Sequence, residues 1–154
     1  MTGQTILIVD DDQKLISLLK ENFEFEGYKV IVGFDGGVAI DLALSRHPDL
    51  IILDINMPQT NGFDALTYLR KNPDTMLIPV IFITGLESKT LYPVIDRHQR
   101  VAYLKKPIDL EHLNSMARQF LEQYPVEPVK TEPAITEPVK TQPNPLPPQF
   151  YPLR

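Results

Sequence analysis

Hydrophobic positions along the chain fall into two alternating patterns. Short runs of consecutive apolar residues occupy Thr5-Ile6-Leu7-Ile8-Val9, Leu50-Ile51-Ile52-Leu53 and Pro79-Val80-Ile81-Phe82-Ile83. Such runs suit strands buried on both faces, as in a parallel sheet covered by helices. Tyr28 to Phe34 reads as a further strand, and Val101-Ala102-Tyr103-Leu104 as a short fifth one. Between the runs, apolar residues recur at three- and four-residue intervals. Leu15, Leu18, Leu19 and Phe23 predict a first helix, with Lys14, Lys20 and Glu21 on its other side. Val38 to Ser45 and Phe63 to Lys71 return to helical spacing, and Leu110, Leu113, Ala117, Phe120 and Leu121 share the face of a final helix.

The punctuation agrees with this division. Asp11 or Asp12 can cap the first helix and Gly27 is placed to end it, while Asp109 caps the last. Asp35-Gly36-Gly37 closes the second strand, His47-Pro48-Asp49 breaks the second helix, and Asn61-Gly62 reads as a turn. Asn72-Pro73-Asp74 stops the third helix. Ser88 to Arg100 is the discordant stretch. A helix is expected there, but Pro93 removes a hydrogen bond or forces a late start, so the helix should be short or irregular.

Five strands alternating with helices imply a parallel sheet with helices on both faces and right-handed crossovers. In such a sheet the strand ends lie along one edge, where open α/β sheets bind ligands. Every chemically distinctive residue immediately follows a strand: Asp10 and Asp11, Asp54, Thr84 and Lys106.

Composition narrows the setting. Of 154 residues, 43% are hydrophobic and 23% charged, ordinary values for one globular domain with a proper core. There is no cysteine, which excludes disulfides and thiolate chemistry. No stretch is apolar enough to span a bilayer, and Met1-Thr2-Gly3-Gln4 runs into a strand without a signal core, so membrane insertion is not expected and a cytoplasmic address is the default. A net charge of -5 argues against binding to a phosphate backbone. No helix-turn-helix or basic face follows Tyr124, so direct contact with nucleic acid is not expected.

Residues 125–154 are a different polymer, holding nine of the fifteen prolines. Glu127-Pro-Val-Lys-Thr, Glu132-Pro-Ala-Ile-Thr and Glu137-Pro-Val-Lys-Thr form a five-residue repeat that cannot build helix or core. The expected organisation is a folded domain over 1–124 and a disordered, proline-rich tail over 125–154. Leu146, Phe150, Tyr151 and Leu153 give that tail an apolar end, and its acids and bases cancel, leaving the net charge in the domain.

Asp10, Asp11 and Asp54 gathered at one edge would repel unless a cation lay between them. A hard, partly hydrated oxygen site suits Mg²⁺, which also takes phosphate oxygens. Asp54 could then act as a nucleophile on phosphorus, with Lys106 as a point charge and Thr84 as a hydroxyl donor for the phosphoryl oxygens. Gly85 leaves open space beside them. Singly, each residue has a plain structural reading: a cap, a turn, a solvated loop lysine. Their joint placement after strands one, three, four and five carries the chemistry. His47, His98 and His112 are scattered without ligand spacing and read as solvated.

The set Val9-Asp10-Asp11, Asp54 with Met57-Pro58 and Gly62, Thr84-Gly85 and Lys106-Pro107 resembles the receiver domain of two-component response regulators, of the single-domain, chemotaxis-receiver-like kind. The separations of 44, 30 and 22 residues between Asp10, Asp54, Thr84 and Lys106 are similar to that family's. The resemblance covers about residues 4–124. It implies a flavodoxin-like, doubly wound five-stranded parallel sheet of order 2-1-3-4-5. It makes Asp54 the phosphoacceptor and has Asp10, Asp11, Asp54 and the main-chain carbonyl of Asn56 hold Mg²⁺. Thr84 and Lys106 would contact the phosphoryl group. Tyr103 matches an aromatic switch that turns inward as the threonine moves toward phosphate. The donor would be a histidine kinase or histidine phosphotransfer protein, and the output an unidentified protein target. Arg97-His98-Gln99-Arg100 departs from the small and acidic residues that often precede the fifth strand, in a region that usually belongs to the output surface.

The expected function is that of a phosphorylation-activated regulator, not an enzyme, beyond accepting phosphate from a donor and slowly losing it. The alternative is a phosphorylation-independent docking protein acting through its tail, where Pro145-Leu-Pro-Pro148 and the terminal aromatics would fit an aromatic groove. A stand-alone phosphotransferase is disfavoured, because haloacid-dehalogenase-type enzymes place a second aspartate where this chain has Asn56.

Overall fold

The computed structural model describes residues 3–95 and 98–127, so the repeat and the apolar end of the expected tail lie outside the described residues. Chain order runs β1 (Thr5–Val9), α1 (Gln13–Phe25), β2 (Lys29–Gly33), α2 (Gly36–Arg46), β3 (Leu50–Asp54), α3 (Gly62–Lys71), β4 (Val80–Thr84), α4 (Ser88–Ile95), β5 (Val101–Lys105) and α5 (Leu110–Gln123). The strands form one parallel sheet in the order β2-β1-β3-β4-β5. This is the flavodoxin-like topology expected from the resemblance.

Alternate residues of each strand face opposite sides of the sheet. Ile6, Ile8, Leu50, Ile52, Ile81 and Ile83 pack with Ile16, Leu19 and Phe23 of α1 and with Leu113, Ala117 and Leu121 of α5. Leu7, Val9, Ile51, Leu53 and Phe82 pack on the other side with Ala39 and Ala43 of α2, Ala65, Leu66 and Leu69 of α3, and Leu91 of α4. The two layers explain why β3 and β4 are apolar at consecutive positions, and why both are buried throughout.

Several local readings are corrected by packing. Leu18, placed on the inner stripe of α1 by its spacing, is 49% exposed; Ile16 takes the inner position with Leu19 and Phe23. Asp12 is the cap of α1, accepting from the Lys14 and Leu15 N–H groups. Gly36 and Gly37 do not merely close β2. They begin α2 behind the cap Asp35, whose carboxylate accepts from the Val38 N–H at 2.9 Å. A Cβ on Gly36 would lie 2.8 Å from the Thr60 carbonyl oxygen, so α2 can press against that loop only with a hydrogen there. Likewise Asn61-Gly62 is a helix start: Asn61 caps α3 through the Asp64 N–H, and Gly62 is the first helical residue.

α4 is short, with eight residues and Pro93 inside it. A proline at that position has no N–H to give the carbonyl one turn earlier, that of Lys89. Among the described residues no helix is long and apolar enough to cross a membrane.

Candidate functional site

β1 and β3 are neighbours in the sheet, with Val9 beside Leu53. The next residue on each strand is an aspartate, so the two carboxylates emerge side by side at the carboxyl edge. The Asp10 N–H continues the ladder to the Gly33 carbonyl of β2 at 3.2 Å, which holds the residue in the sheet one step beyond Val9. Asp10 is fully buried and Asp54 is 4% exposed, while Asp11 is exposed. Carboxylate oxygens of all three lie within 4.8 Å of one another.

Lys106 reaches into this group from the end of β5. Its ammonium lies 2.9 Å from Asp10 Oδ2 and 3.3 Å from Asp54 Oδ2. Its backbone N–H donates to the Thr84 carbonyl at 2.7 Å, tying the root of the side chain to the end of β4; the following peptide, Lys106–Pro107, is cis. The remaining carboxylate oxygens accept backbone hydrogen bonds, Asp10 Oδ1 from Asp12 N–H at 2.8 Å and Asp54 Oδ1 from Asn56 N–H at 3.2 Å. Three carboxylates are thus gathered at one edge with a single ammonium, which contacts two of them.

The electrostatics follow from that imbalance. Burial, and then the charge of Asp10, push the Asp54 carboxyl above its ordinary value; Lys106 and the Asn56 N–H pull the other way without cancelling the rise. Burial pulls the Lys106 ammonium down, but its hydrogen bond and charge interaction with Asp10, joined by Asp54, outweigh burial and raise it. The donor set is hard, anionic and short of positive charge. It therefore fits a hydrated divalent cation such as Mg²⁺ better than a soft metal.

Thr84 is buried at the end of β4, and its Oγ1 accepts from the Leu86 N–H at 3.0 Å. A hydroxyl has two lone pairs and one hydrogen, so this contact leaves the O–H available as a donor. A Cβ added at Gly85 would meet nothing within 4 Å, so the space beside Thr84 is open. On β3's side there is no such room: a Cβ on Gly62 would lie 2.6 Å from the Asp54 carbonyl oxygen, and the Gly62 N–H donates to the Ile55 carbonyl at 2.9 Å. Met57 turns inward onto the core while Asn56 and Pro58 are exposed, which carries the loop away from the acids.

A match to the response regulator receiver domain model runs over residues 6–118. The chain belongs to the response regulator receiver family. The receiver is 42% identical over 123 residues to the transcriptional regulatory protein CpxR of Escherichia coli, a match covering 77% of this chain and 49% of CpxR. The chain thus spans about half the length of that relative. It is 30% identical over 118 residues to the polar-differentiation response regulator DivK of Brucella ovis, with 77% of this chain and 96% of DivK covered. Among solved structures, a CheY-like receiver domain protein from Methanospirillum hungatei superposes with a TM-score of 0.74 at 26% identity, over 80% of this chain and 97% of that one.

Of the residues singled out from sequence, Asp10, Asp11, Asp54 and Lys106 are brought into one group. Thr84 is joined to it through the Lys106 backbone. Tyr103 lies one strand over, beside Phe82 in the register, half-buried against the helix-facing cluster that includes Leu91. Two contacts escaped the sequence, one beside Tyr103 and one at the opposite, amino-terminal edge of the sheet. Tyr92 of α4 sets its ring edge-on against Tyr103, with centroids 6.3 Å apart and planes at 87°. Arg70 at the end of α3 donates to the Ile78 carbonyl at 2.8 Å and to the Gln99 and Arg100 carbonyls at 3.4 Å, pinning the starts of β4 and β5 together. Pro93 masked the first as part of a doubtful helix; long-range carbonyl contacts leave no local signal for the second.

Proposed function

We propose that this receiver is the phosphorylation-activated response regulator of a two-component, His-Asp phosphorelay system, with Asp54 as its phosphoacceptor. The observation that carries the reading is the ammonium of Lys106 lodged between the buried carboxylates of Asp10 and Asp54, with Asp11 completing the acidic group. An Asp54 carboxylate oxygen attacks phosphorus through a remaining lone pair, the phosphorus–nitrogen bond to a phosphohistidine donor breaks, and the electron pair returns to the imidazole, which takes up a proton. Lys106 offsets the charge gathering on the phosphoryl oxygens, and the Thr84 O–H donates to one of them. Asp10, Asp11, Asp54 and the Asn56 main-chain carbonyl would hold Mg²⁺, which supplies the positive charge that lets an anionic phosphate approach anionic carboxylates.

The reading extends to a histidine kinase or histidine phosphotransfer protein as donor, a cytoplasmic setting, and an output through protein contact. Tyr103 is its switch: when Thr84 turns toward phosphate, the ring moves inward, and the surface formed with α4 changes. Apart from slow self-dephosphorylation no turnover is ascribed to the chain. The domain ends near Tyr124, and residues 125–154 serve as its tail.

Incubation with acetyl phosphate and Mg²⁺ should give an acid-stable, base-labile adduct on Asp54, read by intact mass and peptide mapping. Chelation of the metal, or Asp54→Ala, should abolish it. An adduct that forms equally on Asp54→Ala would overturn the assignment.

A further inference from the structure

The surroundings of Tyr103 are lopsided. On its inner side the ring packs against the buried cluster that includes Leu91. On its outer side stands Tyr92, itself 55% exposed. The two phenols meet edge to face at 6.3 Å, the geometry in which the positive rim of one ring meets the negative face of the other. The neighbouring Tyr103 phenol, by hydrogen bonding and then by its charge, pushes the Tyr92 hydroxyl above its ordinary value.

The helix that presents Tyr92 is also the one whose hydrogen-bond ladder is interrupted at the next residue, Pro93. α4 is therefore held by its inner face, Leu91 and Ile95, more than by its own backbone. Thr84 is linked to the same helix, because its Oγ1 accepts from Leu86 N–H at the entry to α4. Turning the Thr84 hydroxyl away gives up that contact and disturbs the support of Tyr92 at the same time.

We propose that Tyr92 is a positioning residue that holds Tyr103 in its half-buried orientation and so sets the resting balance of the switch. This rests on the reading of Tyr103 as the mobile ring. The edge-to-face contact stabilises one of two ring positions, so removing it shifts the balance toward the other. An aromatic pair of this kind is strong enough to change that ratio about two- to tenfold. Tyr92 is exposed enough that its replacement leaves the core untouched.

The test uses the full chain labelled with ¹³C in its tyrosine rings, the Tyr103 resonance being assigned by its loss in Tyr103→Phe. In resting protein, without donor, Tyr92→Ala should move the Tyr103 resonance part of the way toward its position in wild type activated with beryllofluoride and Mg²⁺. Tyr92→Phe, which keeps the ring and loses the hydroxyl, should move it a smaller distance in the same direction. Half-maximal modification of Asp54 by acetyl phosphate should need about two- to tenfold less donor in Tyr92→Ala. A Tyr103 resonance that stays at its wild-type resting position in both variants overturns the proposal. So does a displacement in a direction unrelated to activation, which would mark Tyr92 as packing only. Failure of the Asp54 reading registers separately, as the absence of any adduct on wild type, whereas failure of the Tyr92 proposal appears as an unmoved Tyr103 resonance in variants of a wild type that does form the adduct.

Discussion

α4 is built to a different standard from the two helices on the opposite face of the sheet. There, α1 and α5 are each capped by an aspartate, Asp12 and Asp109, and each buries a regular apolar stripe. They are also joined to each other. Asn22 and Asn114 exchange side-chain amide hydrogen bonds in both directions, at 2.6 and 3.2 Å, and Arg118 approaches Glu26 at 3.5 Å. On the other face α4 has eight residues and an internal proline. Its neighbour β5 is buried only in part. The contrast teaches that a fixed frame and a yielding element can share one core: the reciprocal amide pair admits one relative placement of α1 and α5, while α4 is kept in place by a few apolar side chains.

Cutting into the fixed side should have the largest effect. Leu113→Ala removes a fully buried side chain between α5 and the sheet and should cost about 2–5 kcal/mol in urea unfolding. The yielding side can be stiffened instead. Pro93→Ala restores a backbone donor for the Lys89 carbonyl and should stabilise the chain by about 1 kcal/mol. Amide exchange in α4 should slow by more than exchange in α5; equal slowing in both would mean that α4 was not the looser element. Asn22→Ala alone should cost about 1 kcal/mol, since it leaves the Asn114 amide unpaired in a half-buried place. The double variant with Asn114→Ala should cost less than the sum of the two singles. The Arg118–Glu26 pair is exposed, so Arg118→Ala should change stability by less than about 0.5 kcal/mol.

A further prediction concerns the edge between the two faces. Because the folded Asp54 carboxyl is held above its ordinary value of 3.8, the folded state binds its proton more tightly than the unfolded state. Stability associated with this group is therefore greatest below that ordinary value and is lost as pH rises through the raised folded value. Without added metal, Asp54→Asn should melt higher than wild type at neutral pH, and the difference should close as pH falls toward 4. A gap that widened on acidification would contradict the sign.

The frame was the more legible part in the sequence, for a physical reason. Short runs of consecutive apolar residues, rich in β-branched side chains and bounded by turn signals, suit strands covered on both sides, and parallel strands bring their ends to one edge. Asp10, Asp54, Thr84 and Lys106 could therefore be placed together before any coordinate was known. Positions decided by close approach were less legible. Gly36 and Gly62 looked like turn residues, because the need for a bare Cα arises only where Thr60 and the Asp54 carbonyl press against them. Leu18 had the right spacing for the core, but Ile16 had the better angle. Tyr92 lay in a stretch where Pro93 argued against the helix that nonetheless forms.

Gly62 also governs how strain can travel. With α3 seated against the carbonyl of Asp54, the β3 end behaves as an anvil: it cannot recoil from a bulky group on its own side chain without unseating a helix. Gly85, one strand away, borders empty space. The carboxyl edge is thus close-packed beside the third strand and open beside the fourth.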